Sequence, residues 1–93
     1  MEAVATGSAF DTAKPFCLSA DVSLRDESFG ALAYHHVNRR LVFLKSRPLV
    51  DLVRRLGEYA SVNEALQELV SPTERDRYET ALASLHRSGL LHG

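Results

Sequence analysis

Residues 30–44 read GALAYHHVNRRLVFL, and this stretch predicts a β-hairpin. It contains two short runs, residues 30–37 and 40–44, that are rich in side chains favouring extended backbone. The runs are separated by Asn38 and Arg39, and Asn38 tolerates the left-handed conformation that a two-residue hairpin turn requires. The two runs therefore become the second and third strands of a predicted sheet.

The predicted turn determines which side chains share a face of the hairpin. It places Tyr34 opposite Phe43 and His36 opposite Leu41, and successive side chains of a strand point to opposite faces. The first face then holds Leu32, Tyr34, His36, Leu41 and Phe43, and the second holds Ala33, His35, Val37, Val42 and Leu44. An ordinary surface hairpin has one polar face, whereas both of these are largely apolar. Either the sheet is covered on both sides, or one side is left for a partner.

The segment before the hairpin predicts a tail and a first strand. Residues 1–14 are rich in Ala, Thr, Ser and Gly without periodicity, which is typical of a flexible N-terminal tail. Residues 17–24 alternate weakly between apolar and polar side chains, which favours a strand, and residues 25–28 form a polar connection. The folded domain is therefore expected to span residues 15–93.

Three helices are predicted after the hairpin, each with one apolar stripe at helical spacing. Ser46 is the expected N-cap of the first helix. Ser61 and Glu64 form a capping box that marks the start of the second. Ser71 and Glu74 form another that marks the start of the third. The stripes are Leu49, Leu52, Val53 and Leu56 in the first helix, Val62, Ala65, Leu66 and Leu69 in the second, and Tyr78, Ala81, Leu82 and Leu85 in the third.

The order of these elements predicts the fold class. Three strands precede three helices, and because each helix has only one apolar stripe, the helices must pack on each other and on the sheet. The expected architecture is α+β and winged helix-turn-helix-like, with a three-stranded antiparallel sheet followed by three helices.

Composition indicates a single small globular domain. The chain has 93 residues, 45% of them hydrophobic, and a formal net charge of −1 with both signs mixed along the sequence. The single cysteine, Cys17, cannot form an intramolecular disulfide, which fits a reducing cytoplasm. No signal peptide and no apolar stretch of membrane-spanning length is recognisable. These features favour a cytoplasmic protein.

Side chains that could carry chemistry are present, but their spacing does not indicate a site. His35 and His36 are adjacent on a predicted strand and point to opposite faces, so they cannot chelate one ion together. His86 and His92 have no cysteine or carboxylate at ligand spacing. Cys17 has no evident basic neighbour that would stabilise its thiolate. We therefore expect no metal, no cofactor and no enzymatic activity.

A winged helix-turn-helix arrangement also raises the hypothesis of a DNA-binding regulator, in which the third helix reads the groove. That helix carries Glu74, Asp76 and Glu79, whose charges would face phosphate. Arg39 and Arg40 are the only basic pair near the hairpin tip. The charge pattern disfavours a regulator and leaves it as an alternative.

The last strand of the hairpin, residues 40–44, is expected to be an edge strand. An exposed edge presents unpaired N–H and C=O groups, to which a partner peptide can add as another strand. The alternative is an edge that is protected by the third helix or by a second subunit. The residues themselves leave both possibilities open.

Residues 29–46, which read FGALAYHHVNRRLVFLKS, resemble the signature of the mycofactocin precursor-peptide chaperones. That family belongs to the PqqD-like domains, the recognition elements of ribosomally synthesised and post-translationally modified peptides (RiPPs). The chain departs from the family pattern in having Val37 where a glycine usually precedes Asn-Arg-Arg. Over residues 17–91, outside the signature, the agreement is in the order of the elements.

The resemblance implies a non-catalytic peptide chaperone. Such domains bind the leader of a precursor peptide as an added strand, in the groove between the third strand and the third helix. They present it to a radical-SAM maturase, whose iron–sulfur clusters and S-adenosylmethionine belong to that partner. The residues implied to bind the peptide are Arg40, Leu41, Val42, Phe43 and Leu44 on the strand, and Arg75, Tyr78, Glu79 and Leu82 on the helix. A third hypothesis is a scaffold subunit that binds an enzyme and ignores the peptide.

Overall fold

A computed structural model describes residues 10–93 and confirms the predicted α+β class, with a three-stranded antiparallel sheet followed by three helices. The elements are β1 (Cys17–Leu18), β2 (Val22–Glu27), β3 (Gly30–His35), β4 (Leu41–Leu44), α1 (Arg47–Arg55), α2 (Val62–Leu69), α3 (Arg75–Arg87) and β5 (Leu91–His92). The sheet has the order β2-β3-β4, and β1 pairs separately with β5. In this part of the chain, no helix is long and apolar enough to span a membrane.

The predicted β3–β4 hairpin forms, with a register two residues away from the one expected. Tyr34 lies opposite Leu41, whereas the sequence placed it opposite Phe43. The connection is a four-residue loop, residues 36–39, instead of a two-residue turn. A shift of two residues keeps each strand side chain on its predicted face, because strands alternate with a period of two.

The side chain of His35 accepts hydrogen bonds from the backbone of this longer loop. The His35 N–H donates to the Arg40 carbonyl at 2.9 Å, which closes the strand pairing. The imidazole Nδ1 of this buried residue accepts hydrogen bonds from the backbone N–H groups of Val37 and Asn38, both at 3.2 Å. Arg39, with φ 64°, takes the left-handed conformation that the sequence assigned to Asn38. The longer loop therefore gives a buried polar ring its hydrogen-bond partners.

The predicted first strand, residues 17–24, is two separate elements. Its first two residues form β1, and a turn follows in which the Val22 N–H donates to the Ser19 carbonyl at 3.1 Å. The Ser19 hydroxyl also accepts the Asp21 N–H at 3.2 Å, a local bond that competes with strand pairing. The chain then enters the sheet as β2, which continues through residues 25–27, where the sequence predicted a connection.

Gly30 lies where the start of β3 approaches the end of β4. Its φ is 148°, and a Cβ built on it would lie 2.0 Å from the Leu44 carbonyl oxygen and 2.9 Å from the Ser46 nitrogen. Real Cβ atoms do not approach a backbone so closely, so only glycine fits between the two strands here.

Two of the predicted helix caps are confirmed. The Ser46 hydroxyl accepts the Leu49 N–H at 3.3 Å at the start of α1. The Ser61 hydroxyl accepts the Glu64 N–H at 3.1 Å at the start of α2. Each bond satisfies one of the backbone donors that a helix start leaves unpaired.

The predicted cap of the third helix is wrong. Ser71 makes no side-chain bond to a backbone N–H, and its hydroxyl lies 3.5 Å from the hydroxyl of Thr73. Pro72–Glu74 forms a 3₁₀ turn, so α3 begins at Arg75, later than the capping box predicts. A tighter turn led by proline has replaced the first turn of the expected helix.

The C-terminal end of α3 is held by a Schellman motif. Gly89 has φ 85°, and the Leu90 N–H donates to the Leu85 carbonyl at 3.0 Å. The side-chain amide of Asn38 donates to the Ser88 carbonyl at 3.4 Å. The β3–β4 loop is therefore fastened to the end of α3.

The hydrophobic core lies between the helices and one face of the sheet. The sheet contributes the second predicted face, on which Ala33, His35 and Leu44 are buried. The first predicted face remains open in the described part of the chain, where Leu41 and Phe43 are 54% and 56% exposed. The helices complete the core with Val50, Leu52, Val53, Leu56, Val62, Ala65, Leu66, Tyr78, Leu82 and Leu85.

The predicted tail spans residues 1–14, and its first nine residues lie outside the described part of the chain. Its last residues lie against the domain. The ring centroids of Phe10 and Phe16 are 4.7 Å apart, and the Lys14 carbonyl accepts the Val62 N–H at 3.1 Å. These contacts connect the approach to β1 with the start of α2.

Candidate functional site

The outer side of β4 presents free backbone hydrogen-bonding groups in the described part of the chain. Opposed residues of antiparallel strands alternate between pairs that exchange both backbone bonds and pairs that exchange none. The His35 N–H donates to the Arg40 carbonyl, which places these opposed residues at a bonded position of the ladder, although the Arg40 N–H donates instead to the Asn38 Oδ1. Val42, two residues on, therefore also faces β3. The N–H and C=O groups of Leu41 and Phe43 therefore point away from the sheet.

The five residues predicted on this strand lie together and have different surroundings. The side chains of Leu41 and Phe43 are exposed on the open face of the sheet. Val42 is half-buried and Leu44 is buried, on the face that the helices cover. Arg40 is exposed and precedes the first residue of β4. The strand thus combines an apolar open face with an unpaired backbone edge.

Basic side chains flank both ends of β4. Arg39 and Arg40 precede the strand, and Lys45 follows it. None of the ion pairs formed within residues 10–93 includes any of these three. The edge therefore carries positive charge that acidic groups of a binding partner could neutralise.

The four residues predicted on α3 do not form one surface. Tyr78 and Leu82 are buried in the core, with 9% and 0% of their surface exposed. Glu79 is exposed, and Arg75 is directed toward α2. Within residues 10–93, no hydrogen bond or ion pair joins any of the four to β4. The bond between the hairpin and α3 lies instead at the C-terminal end of the helix.

Arg75 has a structural role that the sequence did not indicate. Its Nε donates to the carbonyls of Leu66 at 3.3 Å and Val70 at 3.1 Å. Its Nη2 donates to the Gln67 carbonyl at 3.2 Å. The last carbonyls of a helix lack partners within the helix, so this guanidinium caps α2 and joins it to α3.

Arg75→Ala is expected to lower the free energy of unfolding by about 1–3 kcal/mol, because carbonyl groups at the end of α2 lose a charged donor. Urea denaturation measures this loss. Arg87→Ala removes an exposed arginine from the same helix and serves as the matched control, with an expected change below about 0.5 kcal/mol. Equal losses in the two variants would contradict the capping role.

The exposed charges at the start of α3 are paired locally. The Glu74 carboxylate accepts a hydrogen bond from Arg77, which raises the pKa of that guanidinium above its ordinary value. The Arg77 guanidinium also lies over the ring of Tyr78, 5.4 Å from its centroid. Arg77, like Arg75, is therefore engaged within the protein, which further disfavours a DNA-reading role for α3.

The structure brings together Cys17 and His92, which the sequence keeps apart. The Cys17 Sγ lies 3.4 Å from the His92 Nε2 because β1 pairs with β5. The two residues are 75 positions apart, so no local spacing could indicate the contact. A largely apolar cavity of about 240 Å³ borders the pair. In the described part of the chain, no group of three or more His, Cys, Asp or Glu side chains lies close enough to hold a metal ion.

Comparison with known proteins points to one family. The profile of the Peptide chaperone MftB family matches residues 15–92. A protein called Peptide chaperone MftB from Mycobacterium ulcerans is 38% identical over 91 residues, which cover 97% of this chain and 84% of that protein. The protein of the same name from Mycobacterium tuberculosis is 36% identical over 88 residues, which cover 94% of this chain and 81% of that one. No solved structure matches the chain.

Proposed function

The chain belongs to the peptide chaperone MftB family, and we propose that it binds the leader of a mycofactocin-type precursor peptide and presents it to a radical-SAM maturase. The observation that supports this best is the β4 edge, where the backbone groups of Leu41 and Phe43 have no partner within residues 10–93. Recognition by strand addition uses such groups. The protein acts by binding alone, and the iron–sulfur clusters and S-adenosylmethionine belong to the maturase.

Main-chain bonding sets the first part of the proposed mechanism. Leu41 and Phe43 each offer one N–H and one C=O, so an extended guest can form up to four hydrogen bonds with the edge. At about 0.5–1.5 kcal/mol each, they contribute about 2–6 kcal/mol in all. A micromolar complex needs about 8 kcal/mol, so main-chain bonds do not suffice and side chains of the guest must contribute.

Guest side chains would alternate between two environments. One set lies beside the exposed side chains of Leu41 and Phe43 on the open face of the sheet. The other set points toward the helices, and acidic guest residues at either end of the strand would meet Arg40 or Lys45. The proposed peptide-binding residues on the strand side are Arg40, Leu41, Val42, Phe43 and Leu44. On the helix side they are Arg75, Tyr78, Glu79 and Leu82, of which exposed Glu79 would contact the guest directly, while buried Tyr78 and Leu82 and the α2-capping Arg75 would support that surface from within the domain.

The proposal is tested by titrating the ¹⁵N-labelled chain with a synthetic precursor peptide. We expect a nanomolar to micromolar complex whose amide shift changes concentrate at residues 40–44 and along α3. A peptide of the same composition with a scrambled leader is the matched control, and it should leave the chemical shifts of those amides unchanged. If the native peptide binds without changing the amide chemical shifts of residues 40–44 and α3, the proposed site is wrong.

Two further titrations separate the competing functions. A DNA-binding regulator should bind duplex DNA with an affinity that falls steeply as salt rises. A scaffold subunit should bind the maturase and ignore the precursor peptide. Either result would replace the chaperone proposal.

A further inference from the structure

Arg39 has the only positive φ of a non-glycine residue in the described part of the chain. Its φ of 64° belongs to the left-handed region, in which the Cβ of most residues is crowded and which glycine and asparagine tolerate best. The chain has an asparagine immediately before it, Asn38, and still places the arginine in this conformation. The backbone at this position therefore does not explain why the residue is an arginine.

Hydrogen bonds within the β3–β4 loop hold Arg39 in this conformation from both sides. The Arg39 N–H donates to the His35 carbonyl at 2.9 Å. On the other side, the Arg40 N–H donates to the Asn38 Oδ1 at 2.9 Å. The peptide groups that flank Arg39 are thus both bonded inside the loop. The surrounding structure maintains a conformation that an arginine rarely adopts by itself.

The side chain of Arg39 has no partner within residues 10–93. It is exposed, and no side-chain hydrogen bond, ion pair or aromatic contact of the described residues includes it. Asp21 is an acidic residue connected to the same loop, since its backbone carbonyl accepts the His36 N–H at 2.8 Å, but its carboxylate forms no ion pair with Arg39 in this part of the chain. A residue held in a rarely populated conformation, with its side chain unused by the fold, indicates a ligand-binding role.

The position of Arg39 beside the free edge indicates the ligand. It lies two residues before Leu41, the first residue of β4 whose backbone groups point away from the sheet. Two residues span at most about 7 Å of extended chain, so a guest strand that bonds to Leu41 brings its neighbouring residues within reach of the long arginine side chain. A guanidinium forms two parallel charge-assisted hydrogen bonds with one carboxylate. An Asp or Glu side chain of the guest fits this position.

We infer that Arg39 is a specificity-determining residue that selects guest peptides with an acidic side chain next to the residue bonded to Leu41. The inference rests on the proposed function, which supplies the guest strand. It also separates binding from stability at one residue. A residue better suited to the left-handed conformation should leave the fold as stable as before or more so, and should bind the peptide less tightly.

Calorimetric titration of the full chain with the precursor peptide, alongside urea denaturation, tests this separation. Arg39→Asn should weaken peptide binding at least fivefold, while the midpoint of denaturation stays the same or rises. Lys14→Asn removes one exposed positive charge outside the hairpin and is the matched control, with an expected change in affinity below twofold. Unchanged affinity in Arg39→Asn, an equal loss in Lys14→Asn, or a lower midpoint in Arg39→Asn overturns the inference.

Substitutions in the peptide identify the carboxylate. Each Asp and Glu of the leader is replaced in turn by Asn or Gln, and one replacement should weaken binding to the wild-type chain at least fivefold while changing binding to Arg39→Asn less than twofold. If no replacement couples to Arg39 in this way, the inference is overturned. If Arg39→Asn loses affinity only for the maturase, Arg39 belongs to that interface and the inference is again wrong. A wild-type chain that does not bind the peptide at all contradicts the proposed function as well.

Discussion

Leu41→Pro is expected to weaken binding of the precursor peptide at least tenfold while the domain stays folded. The Leu41 N–H points away from β3, so proline removes a donor from the free edge and leaves the β3–β4 bonds in place. The pyrrolidine ring also occupies the space where a guest carbonyl would approach. Calorimetric titration measures the affinity, and far-UV circular dichroism with urea denaturation checks the fold.

Two variants separate loss of the backbone donor from other effects. Leu41→Ala removes most of the same side chain and keeps the N–H, so it should lose much less affinity than the proline variant. Val42→Pro should unfold the hairpin, because the Val42 N–H faces β3. Equal affinities for Leu41→Pro and Leu41→Ala would show that the peptide does not add to β4 as a strand.

Gly30→Ala is expected to lower the free energy of unfolding by about 3 kcal/mol or more. The new Cβ would lie 2.0 Å from the Leu44 carbonyl oxygen, and the φ of 148° is itself strained for alanine. Forced overpacking and backbone strain of this kind cost about 1–3 kcal/mol each. A domain of this size has about 5–14 kcal/mol of stability, so the loss is a large fraction of the total. Urea denaturation measures it.

The same turn supplies the control for that prediction. Ser28→Ala changes an exposed residue two positions earlier and should shift the free energy of unfolding by less than about 0.5 kcal/mol. Because the clash pushes the end of β4 away from β3, Gly30→Ala should also weaken peptide binding. A midpoint of denaturation equal to that of the wild type would contradict the close approach of the two strands.

Alternation along the hairpin could be predicted from the sequence, and its register could not. The apolar positions of Tyr34 and Phe43 assign both side chains to one face, and a slip of two residues leaves that assignment unchanged. The register depends on the His35 Nδ1, which accepts two loop N–H groups. Bonds from a side chain to its own loop leave no trace in a periodic pattern.

The candidate site, too, could be predicted only in part, in its strand and not in its helix. The order of the strands is sufficient to place residues 40–44 at an edge. The stripe of α3 could not show that Arg75 caps α2, since its acceptors Leu66 and Val70 are backbone carbonyls of a different element. The contact of Cys17 with His92 arises only when the two ends of the domain pair. Long-range pairing of this kind is not encoded in local spacing.

The hydrogen bond from Asn38 to the Ser88 carbonyl holds the loop before β4 against the end of α3. Together with the ring of His35, it fixes the loop that leads into β4, so under the proposed function this strand would be ordered before a peptide binds. The conformational entropy lost on binding then falls almost wholly on the guest, at about 1–2 kcal/mol for each residue that it orders. If β4 serves as such a template, affinities among guest peptides are expected to follow how readily each one adopts an extended backbone.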